Sequence, residues 1–178
     1  MELQLAQSEE KYRRIVSTSA QGFILMDEQL TIMDVNSTFC TLMGYPRDEL
    51  IGQSLTGLSS DSFKDYIRLH RDNLLTSEVR AIEGELIKKQ GSMVPILIHS
   101  SPLTSDDDLF LGTMAFITDM TEQKKALELA GEVQKNLLPQ RQPDVDGFDI
   151  AGKSESCDEI GGDYFDYIVR GKAGKRIN

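Results

Sequence analysis

The chain has 178 residues, of which 29 are acidic and 19 are basic, so its net charge at neutral pH is −10, and 39% of its residues are hydrophobic. This is the composition of a globular protein, and the acidic excess argues against nucleic-acid binding, which depends on clustered Lys and Arg. No apolar run approaches the roughly 18 residues of a membrane span, and acids stand where a secretory signal has its apolar stretch, so we expect a cytoplasmic protein.

The first part of the chain predicts one hairpin followed by three helices. Residues 7–18 have acids early and basic residues late, an order that favours a short helix. The apolar stretches GFILM (22–26) and LTIMDV (30–35) flank a polar turn and predict a β-hairpin. Asn36 can cap the next short helix, Pro46 stands at the start of another, and residues 59–75 predict a longer helix.

The pattern of hydrophobic residues then changes to the two-residue period of strands. Three stretches, 82–89, 93–103 and 109–120, alternate in this way and are separated by the turns QGS and TSDDD. Each of the last two has one shared face, made of Val94, Ile96, Ile98 and Ser100 in the first and of Leu111, Thr113, Ala115 and Ile117 in the second. Five antiparallel strands, with helices between the second and the third, predict an α+β domain that ends near Met120.

Residues 121–139, TEQKKALELAGEVQKNLLP, predict a helix that stops at Pro139 and is about 25–30 Å long. Its apolar stripe consists of Ala126, Ala130, Val133 and Leu137. Such a helix can bridge two domains, pair with its copy as a coiled coil in a dimer, or pack back on its own domain. The expected organisation is an N-terminal helix (1–18), an α+β domain (19–121), a linker helix (122–139) and a C-terminal segment (140–178).

The α+β part resembles a PAS sensor domain. Residues 22–55 are similar to the family's opening hairpin and the helices after it, KKQGSMVPI (88–96) to a family turn, and FITDMTEQKKA (116–126) to its closing Asp-x-Thr signature. Leu30 stands where the family often has a turn glycine. The resemblance implies a five-stranded antiparallel sheet covered on one face by helices. It also implies a domain that binds a small ligand or a partner and passes the change to an attached output domain.

The resemblance implies a ligand pocket that holds a small metabolite or nothing, and the candidate pocket residues are Phe39, Phe63, Ile67, His70, Ile98 and Phe116. His70 is the one candidate for ligating a haem, but a single histidine on an apolar helix face is more often structural. The Cys-containing helix of flavin photosensors, NCRFLQ, is absent, so Cys40 is interpreted as a small core residue and His99 as structural. The candidates for coupling the signal are Asp119, Thr121 and the four stripe residues of the linker helix.

A second resemblance begins in the linker helix. Residues 126–166, ALELAGEVQKNLLPQRQPDVDGFDIAGKSESCDEIGGDYFD, are similar to the junction and first strands of bacterial metal-dependent serine/threonine protein phosphatases of the SpoIIE-like branch. In that family, which controls sigma-factor partner switching, a helix ending in LLP precedes a Gly-Gly-Asp motif. The resemblance implies the start of an αββα sandwich and a phosphorylated regulatory protein of the anti-sigma-factor-antagonist type as partner, while the PAS resemblance and the linker helix imply a homodimer.

The implied chemistry explains the acidic motif. Two Mg²⁺ or Mn²⁺ ions, roughly 3.5–4 Å apart, would activate a water and neutralise the phosphoryl oxygens, and such ions take carboxylate oxygens as ligands. Asp163 matches the family's Asp after the glycine pair, and Asp166 is the second candidate ligand, although strand alternation puts it on the opposite side. Gly161 and Gly162 would let the backbone pass close to its neighbours.

The acidic motif has other possible interpretations. GGDYF is similar to the GGDEF loop of diguanylate cyclases, but Tyr164 replaces its acidic residue, and no histidine after His99 could accept phosphate in a kinase. Taken alone, the motif would be a solvated acidic loop. Because the residues after Asp166 contain no Asp or Glu, we expect this polypeptide to be the sensor, linker and first strands of a larger phosphatase, without activity of its own. The competing expectation is a self-sufficient PAS module that binds a ligand or dimerises.

Overall fold

In the computed structural model the described residues are 2–76, 80–105, 107, 109–139, 141–153, 161 and 165–168. The chain divides into two compact units, Met1–Thr121 and Glu122–Asn178. The described part of the first unit contains one five-stranded sheet and four α-helices. The described part of the second unit contains one long helix, followed by a segment without regular secondary structure.

The sheet is antiparallel throughout, and its strand order is β2-β1-β5-β4-β3. The five strands are Gly22–Met26 (β1), Ile32–Val35 (β2), Arg80–Ile87 (β3), Met93–Thr104 (β4) and Phe110–Asp119 (β5). The last strand in the sequence, β5, is therefore the central strand in space, and it pairs with β1 on one side and β4 on the other. The predicted five-stranded antiparallel sheet is confirmed.

The helices are Glu2–Thr18 (α1), Ser37–Met43 (α2), Arg47–Leu50 (α3), Asp61–Thr76 (α4) and Thr121–Leu137 (α5), with a 3₁₀ turn at Leu55–Leu58. The first helix begins at Glu2 instead of at residue 7, since residues 2–6 contain neither Gly nor Pro to stop it. The short helices and the 3₁₀ turn lie between β2 and β3, as the sequence predicts.

Asn36 connects three elements through one buried side chain. Its Oδ1 accepts hydrogen bonds from the N–H groups of Phe23 and Phe39, each at 2.9 Å, so it caps α2 and also holds β1. Its Nδ2 donates to the carbonyl groups of Val16 at 2.9 Å and Gln21 at 3.0 Å. The predicted cap is confirmed, and the same amide also fixes the end of α1 against the sheet.

The two faces of the sheet are covered differently. The face that carries Ile98, Ala115 and Ile117 packs against α2, α3 and α4 and forms the main hydrophobic core. On the other face the rings of Phe23 and Phe116 lie 5.5 Å apart between centroids, and Tyr12 of α1 meets Phe23 edge-on at 6.3 Å. The helix-covered face is therefore the one on which an internal pocket can form.

Candidate ligand pocket and linker helix

A small pocket lies between the sheet and the helical layer of the first unit. Its wall on the sheet side consists of Met26, Ile82, Ile98, Ser100 and Thr113. Its wall on the helical side consists of Leu30, Leu55, Phe63, Tyr66 and Ile67. The lining is almost entirely apolar, so the two hydroxyl groups on the sheet side are the features that could give a ligand its orientation.

Thr113 is the unusual member of this wall. Its side chain is on the central strand β5 and is only 1% exposed, and its Oγ1 has no hydrogen-bond partner among the described residues. Ser100, on the neighbouring strand β4, is also buried and faces the same pocket. A buried hydroxyl without a partner loses the hydrogen bonds that water gave it, at a cost of about 1–3 kcal/mol. A water or a ligand group that reached Thr113 would recover part of that cost.

The volume of the pocket limits what it can hold. The cavity measures about 30 Å³, which is enough for about one water molecule. Pockets for drug-sized ligands are about 300–1,000 Å³. In this conformation, the domain therefore has room for a water or for one very small neutral molecule, and a larger ligand would have to displace a wall residue.

Leu30 closes the pocket at the β1–β2 turn in a left-handed conformation, with φ of 61°. The turn is held by Asp27, whose Oδ1 accepts the N–H groups of Gln29 at 2.9 Å and Thr31 at 2.8 Å. A leucine in this conformation costs roughly 1–2 kcal/mol. Burial of the Leu30 side chain, which is 3% exposed, contributes about 1.5–3 kcal/mol and offsets that cost. Leu30 therefore stabilises the closed pocket despite its strained backbone.

Phe63 is held against the sheet by the absence of a side chain on β3. A Cβ added to Gly84 would lie 2.5 Å from ring carbons of Phe63, which is far inside van der Waals contact. The glycine therefore lets the Phe63 ring lie flat on the strand and fill most of the space between α4 and the sheet. Together, Phe63 and Leu30 explain why the cavity is small.

A larger cleft of about 560 Å³ lies beside α1, but it is open to solvent and lined by charged groups. Two ion pairs already occupy it, Arg14 with Glu10 at 2.9 Å and Arg47 with Asp34 at 2.7 Å. All four of these side chains are exposed to a third or more, so neither pair leaves a strong unbalanced charge for a ligand. The enclosed pocket is the better candidate site.

The structure places the six predicted pocket residues in different surroundings. Phe63, Ile67 and Ile98 line the pocket. Phe39 is fully buried but packs against Gly22 at the start of β1, away from the cavity. Phe116 does not line the pocket, contrary to the prediction. Its side chain points to the opposite face of the sheet, where it packs on Phe23. The alternation of β5 puts Thr113 in the pocket and Phe116 outside it.

His70 is also corrected as a pocket residue. Its ring stacks on Tyr66 at 4.2 Å between centroids, and its Nδ1 donates to the Tyr66 carbonyl group at 3.0 Å, at the surface of α4. The helical spacing placed His70 near the apolar face, but its side chain is only half-buried and is not among the residues that line the cavity. Neither this position nor the volume of the cavity provides for a haem.

Sequence reasoning placed Ser100 and Thr113 on the inward face of their strands but gave them no role in the pocket. The signal was a polar residue within an otherwise apolar strand face, since such a residue is either satisfied by a partner or available to one. Leu30 and Tyr66 were missed for a different reason. The position of Leu30 depends on the turn geometry, which hydrophobic periodicity does not report, and Tyr66 lies beside the predicted apolar stripe of α4, next to Ile67.

The linker helix α5 begins directly after the central strand. The N–H of Thr121 donates to Oδ1 of Asp119 at 2.8 Å, and the N–H of Met120 donates to the Pro95 carbonyl group at 2.9 Å. The junction is therefore fixed both by its own cap and by β4. The predicted apolar stripe of Ala126, Ala130, Val133 and Leu137 is exposed to solvent, with Val133 at 52% and Leu137 at 65%.

The predicted metal-site residues are described only in part. Gly162 and Asp163 lie outside the described residues. Gly161 is half-buried and is hydrogen-bonded to Gln134 of α5, whereas Asp166 is exposed and its Oδ1 accepts the N–H of Tyr167 at 2.7 Å. Across the described ranges, no three His, Cys, Asp or Glu side chains come together as metal ligands.

Two titratable groups in the first unit, Tyr12 and Cys40, have raised pKa values. Burial raises the pKa of the Cys40 thiol, an effect that the charge of Arg47 and a backbone hydrogen bond partly offset. Burial, and secondarily the charge of Asp34, raises the pKa of Tyr12. Both side chains are therefore neutral at pH 7. Since Cys40 also packs against the core cluster, it behaves as a packing residue and not as a thiolate nucleophile.

Comparison with known proteins identifies the fold of the first unit. A family model described as "PAS fold" matches residues 10–120. The PAS domain of an HTR-like protein from Haloarcula marismortui has a similar structure, with a TM-score of 0.57 at 20% identity, over 66% of this chain and 96% of that one. None of the helices in the described part of the chain is both long enough and apolar enough to cross a membrane.

Two curated relatives are sensor proteins. The sensor histidine kinase TmoS of Ectopseudomonas mendocina is 25% identical over 136 residues, which is 75% of this chain and 14% of that protein. The C4-dicarboxylate transport sensor protein DctS of Rhodobacter capsulatus is 25% identical over 134 residues, 73% of this chain and 20% of that protein. The chain thus spans a fifth or less of each of these two relatives.

Proposed function

The chain belongs to the PAS family, and we propose that its PAS domain is the sensory part of a signalling protein whose output is a metal-dependent phosphoserine phosphatase of the SpoIIE-like class. The observation that carries the proposal is the continuity of α5. This helix starts at the end of the central strand β5 and leads without interruption into the stretch 132–166, whose sequence is similar to the opening of that phosphatase class.

The same strand supports a route from ligand to output. Thr113, in the pocket wall, and Asp119, at the start of α5, both lie on β5. The sensed ligand would be a small neutral molecule with a group that hydrogen-bonds to the Thr113 hydroxyl. A ligand too large for the closed pocket would displace a wall residue such as Phe63 or Leu30, and that displacement would change the packing against β5. The signal would then reach α5 through the junction held by Asp119 and Pro95.

The proposed output reaction is hydrolysis of a phosphoserine ester on a regulatory protein of the anti-sigma-factor-antagonist type. Mn²⁺ or Mg²⁺ would supply the activation of water and the neutralisation of phosphoryl charge. The described residues do not by themselves fit a binuclear metal site, since no cluster of three ligand side chains occurs among them. The assignment therefore depends on Asp163, on Asp166 and on carboxylates beyond the described residues.

The exposed stripe of α5 supports a homodimer in which a second copy covers this helix. Small and branched apolar residues recur on it at steps of four, three and four, the spacing that parallel helices use to pack along a seam. Val133→Asp puts a charge into that seam and should shift the mass measured by light scattering from dimer to monomer. An unchanged mass for the variant, or a monomeric wild type, would contradict this arrangement.

A histidine kinase is the second candidate output. It is favoured by the two sensor relatives, one of which is described as a sensor histidine kinase. However, the stretch that would follow the sensor in this chain is the one similar to a phosphatase, and no histidine occurs after His99. The relatives therefore support the sensory half of the proposal and leave the output to the motif after α5.

The test uses the natural gene product that contains this sequence. We expect Mn²⁺-dependent release of phosphate from a phosphoserine peptide, lost on Asp163→Ala and kept on Asp144→Ala, an exposed aspartate outside the motif. Autophosphorylation with ATP, without phosphate release from the peptide, would contradict the phosphatase and establish the kinase. If the protein showed neither phosphate release nor autophosphorylation, that result would favour the stand-alone PAS module.

A further inference from the structure

The linker helix has two different faces. Gly131 is buried, and Gln134 and Leu138 are half-buried. These three residues follow each other at steps of three and four, so they share one face of the helix. At about 100° per residue, that face lies roughly a third of a turn away from the exposed Ala126–Leu137 stripe. The helix can therefore hold its own C-terminal segment on one side while it presents an apolar stripe on another.

On the face that carries Gly131, Gln134 and Leu138, the Gln134 side chain makes two hydrogen bonds to Gly161. Nε2 of Gln134 donates to the carbonyl group of Gly161 at 2.6 Å, and Oε1 of Gln134 accepts the N–H of Gly161 at 2.8 Å. A primary amide carries a donor and an acceptor side by side, so it matches the N–H and C=O of one peptide residue in the way that a neighbouring strand does. Both groups belong to Gly161, and a sliding or rotation of α5 therefore breaks both bonds together.

The side chain of a glutamine on a helix surface is usually exposed to water. Gln123, on the same helix, is exposed in that way. Gln134 differs because both halves of its amide are used. The distance of 27 residues between the partners means that the two bonds fix a long loop to the helix, which local helix stability alone does not require.

We propose that Gln134 is a positioning residue that couples the orientation of α5 to the position of Gly161, the first glycine of the Gly-Gly-Asp motif. Rotation of the helix under control of the PAS domain releases or restores the Gly161 contact. The consequence for phosphate release depends on the proposed function, whereas the contact itself is independent of it.

The contact is tested on the 178-residue chain by residue-resolved amide exchange. Gln134→Met keeps the length and packing of the side chain and removes both hydrogen bonds, and Gln123→Met is the matched control. We expect exchange of the Gly161 N–H to become about tenfold faster in Gln134→Met and to stay unchanged in Gln123→Met, with equal helix content by circular dichroism. Gln134→Glu keeps an acceptor for the Gly161 N–H but sets a carboxylate oxygen against the Gly161 carbonyl group, so it should lose protection as well.

A Gly161 N–H that exchanges in the wild-type chain at the rate of an unstructured peptide would overturn the proposal. Equal protection in the two methionine variants would do so as well.

The output is tested separately in the natural gene product. Gln134→Met should lower the turnover number for phosphate release and leave the KM for a phosphoserine peptide unchanged, because Gln134 positions a segment and does not touch the substrate. An unchanged turnover number in this variant would overturn the coupling. If the wild-type protein releases no phosphate while the Gly161 protection is observed, the phosphatase proposal fails and the Gln134 contact stands. If phosphate is released but Gly161 is unprotected, the reverse holds.

Discussion

Different forces stabilise each of the two units internally. In the PAS unit, side chains from all five strands and from the helical layer form one hydrophobic cluster, and most of its members are almost fully buried. Among the described residues of the second unit, Gly131 is the only buried one, and the long-range contact that stands out is the Gln134–Gly161 pair. Burial is non-directional and tolerates small shifts, whereas a two-point hydrogen bond is lost when its geometry changes.

This difference suits the proposed roles. A sensor that must remain folded while its pocket rearranges benefits from a large cluster, because one displaced wall residue removes only part of the total stabilisation. A coupling segment that must respond to rotation of a helix benefits from a few directional contacts with a low free energy of opening.

Removing Phe63 should have the largest effect, because this ring fills the space between α4 and the sheet. Phe63→Ala is expected to lower the free energy of unfolding by about 3–5 kcal/mol, measured by urea denaturation. Leu69→Ala is the control, since Leu69 lies on the same helix and is 81% exposed, and it should change stability by less than about 0.5 kcal/mol. Similar values for the two variants would show that the PAS unit does not depend on this cluster.

Two substitutions at Leu30 separate the free-energy cost of backbone strain from the contribution of side-chain burial. Leu30→Ala keeps the left-handed strain and removes the buried side chain, so it should cost about 2–5 kcal/mol. Leu30→Gly removes the same contacts but relieves the strain, and it should be more stable than the alanine variant by up to about 1 kcal/mol, although glycine has the greater chain entropy. An alanine variant more stable than the glycine variant would mean that the turn is not strained.

Thr113 tests whether the buried hydroxyl has a partner. Thr113→Val has nearly the same shape, and in the ligand-free chain it should raise the free energy of unfolding by about 1 kcal/mol, because a group without a partner is removed. Thr104→Val, at an exposed position on β4, should change stability by less than about 0.5 kcal/mol. A destabilised Thr113→Val protein would show that the hydroxyl is satisfied, by a water or by a bound ligand.

Cys40 gives the smallest effect, and it appears only at alkaline pH. Burial raises the pKa of the folded thiol above its ordinary value of 9.0. As the pH rises past that value, the unfolded chain loses the thiol proton before the native chain does, so the free energy of unfolding falls. Cys40→Ser should weaken the decline measured by denaturation between about pH 8 and pH 10. An identical decline in both proteins would assign it to other groups, such as Tyr12.

The sequence predicted the PAS unit well because its signals are repetitive. The two-residue alternation of β4 placed Val94, Ile96 and Ile98 on one buried face. Asn36 was predicted to cap a helix, and it does so in the structure. The pocket was predicted less well. His70 and Phe116 were placed by residue type and approximate spacing, although the alternation of β5 already puts Phe116 on the face opposite Thr113, and hydrophobic periodicity does not report the contacts that hold His70 at the surface.

The contact between Gln134 and Gly161 could not be predicted for a similar reason. Periodicity along α5 indicated one apolar stripe, but a polar side chain that binds a backbone group 27 residues away leaves no periodic signal. The sequence motif around Gly161 indicated a chemistry, and the structure shows that Gly161 is hydrogen-bonded to Gln134 of the linker helix.

The central claim is that the PAS unit controls phosphoserine hydrolysis through α5. The most direct measurement compares Mn²⁺-dependent phosphate release by the natural gene product with release by two insertions between Lys125 and Ala126. Seven added helical residues make about two turns and preserve the phase of the helix, whereas two added residues rotate everything after them by about 200°. We predict a rate close to wild type for the seven-residue insertion and a strongly altered rate for the two-residue insertion. Equal rates in both insertion variants, or no phosphate release by the wild-type protein, would contradict the claim.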